Sequence, residues 1–193
     1  MKYNPKEVNV TTLDIETTFA LDDENKTLTS PFFGQQIVSV GYRLLGPYIY
    51  SENYLFFYHT KREPTAEAFK KLQQILNLTN VLVGHNIKFD LQFLRECGFV
   101  YNSALYDTMV AEYLSLRGLK QPLGLDACCT RRGISGKLTS DINTYIKDGM
   151  SYEDMPPNVV EKYGRNDVTI TEQLALAQLK EFNITWFDVK NGE

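Results

Sequence analysis

Two carboxylates, Asp14 and Glu16, stand two residues apart at the end of a β-type run, Val8-Asn9-Val10-Thr11-Thr12-Leu13. In an extended strand residues i and i+2 point to one face, so Asp14 and Glu16 project together while Ile15 turns into the other layer. Like charges held that close repel unless a cation sits between them, and hard carboxylate oxygens suit Mg2+ or Mn2+. The same pair also fits two surface acids on an edge strand, so the rest of the chain must decide. Asp90 falls in Gly84-His85-Asn86-Ile87-Lys88-Phe89-Asp90, in the first turn of a helix that leaves a buried strand. That junction lies at an end of the sheet, where sites form, although the helix dipole alone favours an acid there. Asn86 reads as a turn residue or a cap. Tyr163 and Asp167 lie four residues apart on a helix, which puts a phenol and a carboxylate on one face.

The elements that would position these groups follow from the hydrophobic period. After the opening strand, Leu21 to Ser30 is polar and reads as a loop closed by Pro31-Phe32-Phe33-Gly34. Gln36 to Leu45 and Tyr48 to Tyr58 read as second and third strands around a Gly46-Pro47 turn, making an antiparallel meander. Thr65 to Leu78 then carries Ala68, Phe69, Leu72, Ile75 and Leu76 at helical spacing. Val81-Leu82-Val83 is wholly apolar, as expected of a strand buried on both faces and parallel to the first. A helix bearing Phe89, Phe93 and Leu94 closes at Gly98. Tyr106 to Leu116 is expected to be a helix capped by Asp107 or Thr108. Leu123 to Arg132 and Ser140 to Lys147 read as short helices, the second with a Ser cap. Pro156-Pro157 opens a last long helix to about Phe182, with Gly164 a weak spot inside it. The class is α/β with a mixed sheet, and residues 1–193 read as a single domain.

Composition narrows the function. The net charge of −4 argues against a protein that coats duplex by bulk phosphate attraction, yet an acidic enzyme can act on nucleic acid where divalent ions neutralise phosphate. No segment is apolar enough for a membrane helix, and the first residues do not read as a signal peptide. Cys97, Cys128 and Cys129 show no CxxC spacing and read as reduced core thiols of a cytoplasmic protein.

Asp-x-Glu on the first strand, Asn-x-x-Phe-Asp in the middle and Tyr-x-x-x-Asp on the last helix occur in order. Together they resemble the DEDDy branch of the DnaQ-like 3′–5′ exonucleases, with the proofreading domain of family A DNA polymerases most similar. Tyr106-Asp107-Thr108-Met109 with Ala111-Glu112-Tyr113-Leu114, and Asp167-Val168-Thr169 with Gln173-Leu174, extend the likeness from about Val8 to Phe182. The sister branch carries a histidine five residues before the last Asp; Lys162 stands there.

The resemblance implies a ribonuclease H-like fold, a central mixed sheet with three leading antiparallel strands flanked by helices. It implies two divalent ions, Mg2+ with Mn2+ able to substitute. Asp14, Glu16 and Asp167 would bind the first, with Asp14 also touching the second and Asp90 reaching it through water. Two ions roughly 3.5–4 Å apart clamp the attacking and leaving oxygens of an in-line displacement. Tyr163, a phenol with an ordinary pKa near 10, would orient the attacking water rather than act as base. Crowded carboxylates would carry raised pKa values. Thr17, Thr18, Asn86 and Phe89 are expected near the terminal nucleotide, with Phe89 and Phe93 either stacking on bases or serving as core. Lys120, Arg131, Arg132 and Lys137 form a loose basic cluster, either a phosphate track or a solvated surface. The expected activity is release of nucleoside 5′-monophosphates from single-stranded or frayed DNA, in proofreading or end trimming in a bacterial cell or phage-infected host, with a DNA polymerase supplied in trans. Open alternatives are an exoribonuclease of the ribonuclease D type and an inactive nucleic-acid-binding module.

Overall fold

A computed structural model of the chain describes residues 8–21, 24, 27–63, 67–135 and 139–192. Its centre is a five-stranded mixed sheet. β1 (Val10–Thr17), β4 (Ile37–Leu45) and β5 (Tyr50–Phe56) form the antiparallel meander, and β6 (Val81–Gly84) and β7 (Ala104–Asp107) continue it parallel to β1, in the order β5-β4-β1-β6-β7. The apolar Val81-Leu82-Val83 run is fully buried, and β6 pairs parallel with β1 as expected of a strand covered on both faces.

Helices cover the two faces. α1 (Ala68–Leu78) and α2 (Ile87–Glu96) send Leu72, Leu76, Phe93 and Leu94 against Leu13 and Ile15 of β1 and Leu82 of β6. On the other face, α6 (Pro157–Phe182) and α7 (Trp186–Asn191) bring Ala175, Leu179 and Trp186 against Val10, Val81, Val83 and Tyr106. Each fully buried Val, Leu or Phe among them contributes about 1.5–3 kcal/mol. α3 (Thr108–Ser115), α4 (Leu125–Arg131) and α5 (Thr139–Lys147) complete the fold.

The structure departs from the sequence reading at several places. Residues Ala104–Asp107, the first two outside the expected elements and Tyr106 and Asp107 inside the expected helix, form the short strand β7. Its four residues sit at a sheet edge, and Leu105 is 46% exposed, so no alternation marked it. The polar stretch 21–30 contributes to a small hairpin, β2 (Ala20–Leu21) with β3 (Thr27–Leu28). Residues 64–66, at the expected start of α1, lie outside the described residues. So does the side chain of Ser140, and with it the expected cap of α5. Cys128 and Cys129 are buried thiols, but Cys97 is exposed rather than core. The tail folds as α7, opened by a capping box between Thr185 and Asp188.

Candidate active site

β1 carries its two acids towards α6. Leu13 and Ile15 alternate into the layer beneath, while Asp14 is half-buried and Glu16 nearly fully buried on the opposite face. Asp14 stands opposite Gly41 on β4 and Glu16 opposite Ser39. Gly41 is small for a reason: a Cβ there would lie 3.1 Å from the Val168 side chain of α6, so the helix rides close over the strand pair. One residue before Val168 is Asp167, only 2% exposed.

Gly164 makes the second close approach, and this explains the apparent weak spot in α6. A Cβ at Gly164 would fall 2.5 Å from the Tyr54 hydroxyl. Tyr54 cannot yield easily, since its hydroxyl donates to the Val160 carbonyl at 3.2 Å and bonds Ser39 Oγ at 2.8 Å. The helix therefore needs a glycine beside Tyr163 to bring both Tyr163 and Asp167 over β1.

Asp90 arrives from the other layer. β1 pairs with β6 from Val10 opposite Val81 only as far as Thr12 opposite Val83, so the β6-side edge of β1 is open beyond that point. The Ile15 N–H on this stretch donates to Asp90 Oδ1 at 3.1 Å. Asp90 is 4% exposed. Its pKa lies well above the ordinary carboxylate value, first through burial and then through the Asp14 carboxylate beside it, against opposing backbone hydrogen bonds. The raised pKa expected among crowded carboxylates is thus present at Asp90.

Tyr163 is buried, and its pKa is not ordinary as expected: burial, then the charges of Glu16, Asp167 and Asp14, and a side-chain hydrogen bond with Asp167, push it up. A phenol that resists ionisation is a donor at neutral pH, not a base. Asp14, Glu16, Asp90, Tyr163 and Asp167 are therefore brought together from β1, α2 and α6.

The expected substrate contacts separate. Thr17 is 5% exposed. Thr18 is engaged with Gln36: its N–H donates to the Gln36 carbonyl at 2.9 Å, and its Oγ1 accepts from the Gln36 N–H at 3.0 Å. Its backbone amide is thus spent, leaving the hydroxyl hydrogen to offer. Asn86 is exposed, with a left-handed backbone (φ 59°) that turns the chain into α2. Phe89 is half-buried, its ring 5.0 Å from that of Phe93, which is wholly core.

The basic cluster is not a free phosphate track. Arg131 and Arg132 both pair with the buried Glu112, and Arg132 also with Glu181 at 2.7 Å. Lys120 is exposed, and Lys137 lies outside the described residues.

One aromatic at the site has no counterpart in the sequence reading. Tyr152, in the loop before α6, is raised in pKa by burial and then by Glu16, Tyr163, Asp14 and Asp167. Its only sequence signal was a tyrosine shortly ahead of the Pro156-Pro157 helix start.

The donor chemistry fits a divalent metal: hard carboxylate oxygens from three elements, with Asp14 and Asp90 close enough to repel. Among the described residues, no three acidic, histidine or cysteine side chains form a ready-made cage for an ion.

No curated protein matches the chain. Among solved structures, Brucella melitensis NrnC with bound Mg2+ is 16% identical, with a TM-score of 0.56 over 97% of this chain and 81% of that one. NrnC bound to pGG is 17% identical, at 0.55 over the same shares. A nuclease in its apo form is 16% identical, at 0.58 over 90% and 74%. At these identities the likeness shows the fold, which is ribonuclease H-like. A sequence model for 3′–5′ exonucleases matches residues 6–181, which span all of β1 and nearly all of α6, and the chain belongs to that family of DnaQ-like 3′–5′ exonucleases.

Proposed function

We propose that this 3′–5′ exonuclease releases nucleoside 5′-monophosphates from the 3′ ends of single-stranded or frayed DNA with two divalent ions, Mg2+ or Mn2+, as an enzyme of the DEDDy type in proofreading or end trimming. The observation that carries the reading is the convergence of Asp14, Glu16, Asp90 and Asp167 with the phenol of Tyr163, whose hydrogen bond to Asp167 ties it to the acid cluster. Asp14, Glu16 and Asp167 would hold one ion, with Asp14 also on the second and Asp90 acting on it through water. When bound, such ions supply charge neutralisation for the phosphodiester and for the oxygens entering and leaving phosphorus.

The chain's own groups do the rest. Tyr163, protonated at neutral pH because burial and nearby carboxylates oppose its ionisation, holds a water by hydrogen bonding for in-line attack. Asp90 fixes the β1 edge through Ile15 N, so the Asp14 position follows that of α2. A DNA polymerase acting in trans fits the same reading.

The test uses 3′-unpaired DNA and RNA oligonucleotides of equal length, labelled at the 5′ end, with Mg2+ or EDTA. A descending ladder on DNA, lost with EDTA and reduced at least about 100-fold by Asp14→Ala, supports the proposal. Faster degradation of RNA favours the second reading, which the structural neighbour NrnC bound to pGG supports. No ladder with binding retained leaves a nucleic-acid-binding module.

A further inference from the structure

The loop 151–155 is built onto the turn that follows β5. The Thr60 N–H and Oγ1 both donate to the Glu153 carbonyl, at 2.9 and 2.8 Å. Lys61 Nζ donates to the Asp154 carbonyl at 2.9 Å, and His59 Nε2 meets the Met155 carbonyl at 2.9 Å. Within the loop, the Asp154 and Met155 N–H groups close on the Ser151 carbonyl. These bonds fix a segment that has no regular structure of its own.

The segment carries Tyr152, half-buried, with its ring 6.3 Å from that of Tyr163 and tilted by 32°. Glu16, Asp14 and Asp167 all lie within electrostatic reach of its phenol. Among the described residues, no hydrogen bond engages the Tyr152 hydroxyl. By contrast, the hydroxyl of Tyr54 bonds Ser39 and Val160, and that of Tyr163 bonds Asp167. Holding a side chain in place beforehand lowers the entropy cost of any contact it makes. A phosphodiester entering an acidic cleft needs neutral or positive donors there, and the phenol remains protonated at neutral pH.

Resting on the exonuclease reading above, we propose that Tyr152 is a substrate-binding residue whose hydroxyl donates to a non-bridging oxygen of the scissile phosphodiester, beside the water held by Tyr163. The two phenols divide the work. Tyr152 contacts a group present throughout the reaction, so it contributes to binding, whereas Tyr163 contributes to the chemical step.

Steady-state digestion of a 5′-labelled single-stranded oligonucleotide with Mg2+ tests this, using wild type, Tyr152→Phe, Tyr163→Phe and the double variant, each with its melting temperature. Tyr152→Phe keeps the ring packing, so folding should not change. A KM raised about ten-fold with kcat near wild type is expected, and Tyr163→Phe should lower kcat instead. The two effects should multiply in the double variant. Unchanged kinetics in Tyr152→Phe beside an active wild type overturn the role of Tyr152 alone. That role is equally overturned if the effect of Tyr152→Phe vanishes in the Tyr163→Phe background, since Tyr152 would then act only through Tyr163. A wild type that releases no nucleotide overturns the exonuclease reading with it.

Discussion

Two buried acids, Glu112 and Asp90, are handled in opposite ways. Glu112 on α3 is 1% exposed and accepts from Arg131, Arg132 and Gln178. Burial alone would raise its pKa, but the hydrogen bonds from Arg132, Gln178 and Arg131 outweigh it and hold the group below its ordinary value. Asp90 is as deeply buried, yet its neighbours are the Ile15 amide, its own helix amide and the carboxylates of Asp14 and Asp107. No arginine or lysine is among them, and its pKa goes up. A structural acid brings its counter-charge within the fold, and a site that is to meet a cation from solution does not.

The largest effect that tests this contrast comes from Asp90→Asn. The isosteric amide can still accept from Ile15 N and removes the repulsion with Asp14. Activity should fall at least about 100-fold, while the metal-free protein gains about 0.5–2 kcal/mol. Mg2+ should raise the melting temperature of wild type more than that of the variant. If Asp90→Asn is both inactive and destabilised, Asp90 resembles Glu112 and the contrast collapses. Oligonucleotide digestion and thermal unfolding in EDTA measure the two halves.

Glu112→Gln is the counterpart, with the opposite stability sign. It leaves two arginines facing a neutral amide and should cost about 2–3 kcal/mol, with activity retained below the melting transition. The pH dependence follows the lowered pKa of Glu112. Its stabilisation is fully present above the unfolded-state value, near 4.3 for a free Glu, and is lost as pH falls through the lower folded-state value. The gap in stability between wild type and Glu112→Gln should therefore narrow only in acid, when urea unfolding is followed from pH 7 to about 3. A gap that stays constant over that range would show that packing, not charge, carries the effect.

The two regions also differ in how far the sequence disclosed them. Asp14 and Glu16 were legible because strand alternation needs only the i, i+2 spacing, and Tyr163 with Asp167 because the helical spacing needs only i, i+4. The meander, the buried parallel strand and the long final helix followed from period and flanking prolines. What stayed hidden depends on the third dimension. Tyr152 reaches the site through hydrogen bonds between a loop and the turn after β5, which no local pattern encodes. Strand β7 is too short to show alternation. Arg131 and Arg132 read as a solvated surface or a phosphate track, not as partners of a buried acid, because Glu112 lies 19 and 20 residues away on another helix. Gly164 looked like a weakness because Tyr54, its reason, lies on a distant strand.

That last pair yields an intermediate prediction. Gly164→Ala places a methyl 2.5 Å from a tyrosine hydroxyl already committed to two hydrogen bonds. Even though alanine favours helix, overpacking should dominate at about 1–3 kcal/mol. The displaced helix carries Tyr163 and Asp167 on either side of the strain, so kcat should fall more than stability does. The Glu112 region, held by α3, α4 and the far end of α6 at Gln178 and Glu181, should respond much less. The comparison is broken if Gly164→Ala raises the melting temperature with activity intact.

The smallest effect concerns a third acid, intermediate between the other two. Asp107 is partly buried and is satisfied by neither a cation nor repulsion, but by backbone. Its Oδ1 accepts from the Asn86 and Met109 amides, both at 2.9 Å, and its Oδ2 from the Ile87 amide at 3.1 Å. One carboxylate thus caps α2 and α3 together and sets the angle at which Asp90, three residues beyond Ile87, enters the site. The left-handed backbone at Asn86 is the turn that makes this double cap reachable. Asp107→Asn keeps one acceptor oxygen and must give up part of one cap, so it should cost about 1 kcal/mol. The charge of Asp107 also raises the pKa of Asp90. Removing it should therefore ease the ionisation of Asp90, and the Mg2+ concentration needed for half-maximal digestion should hold steady or fall slightly. A marked rise in that concentration would instead mean that the double cap, through the placement of α2, matters more to the acid cluster than charge does.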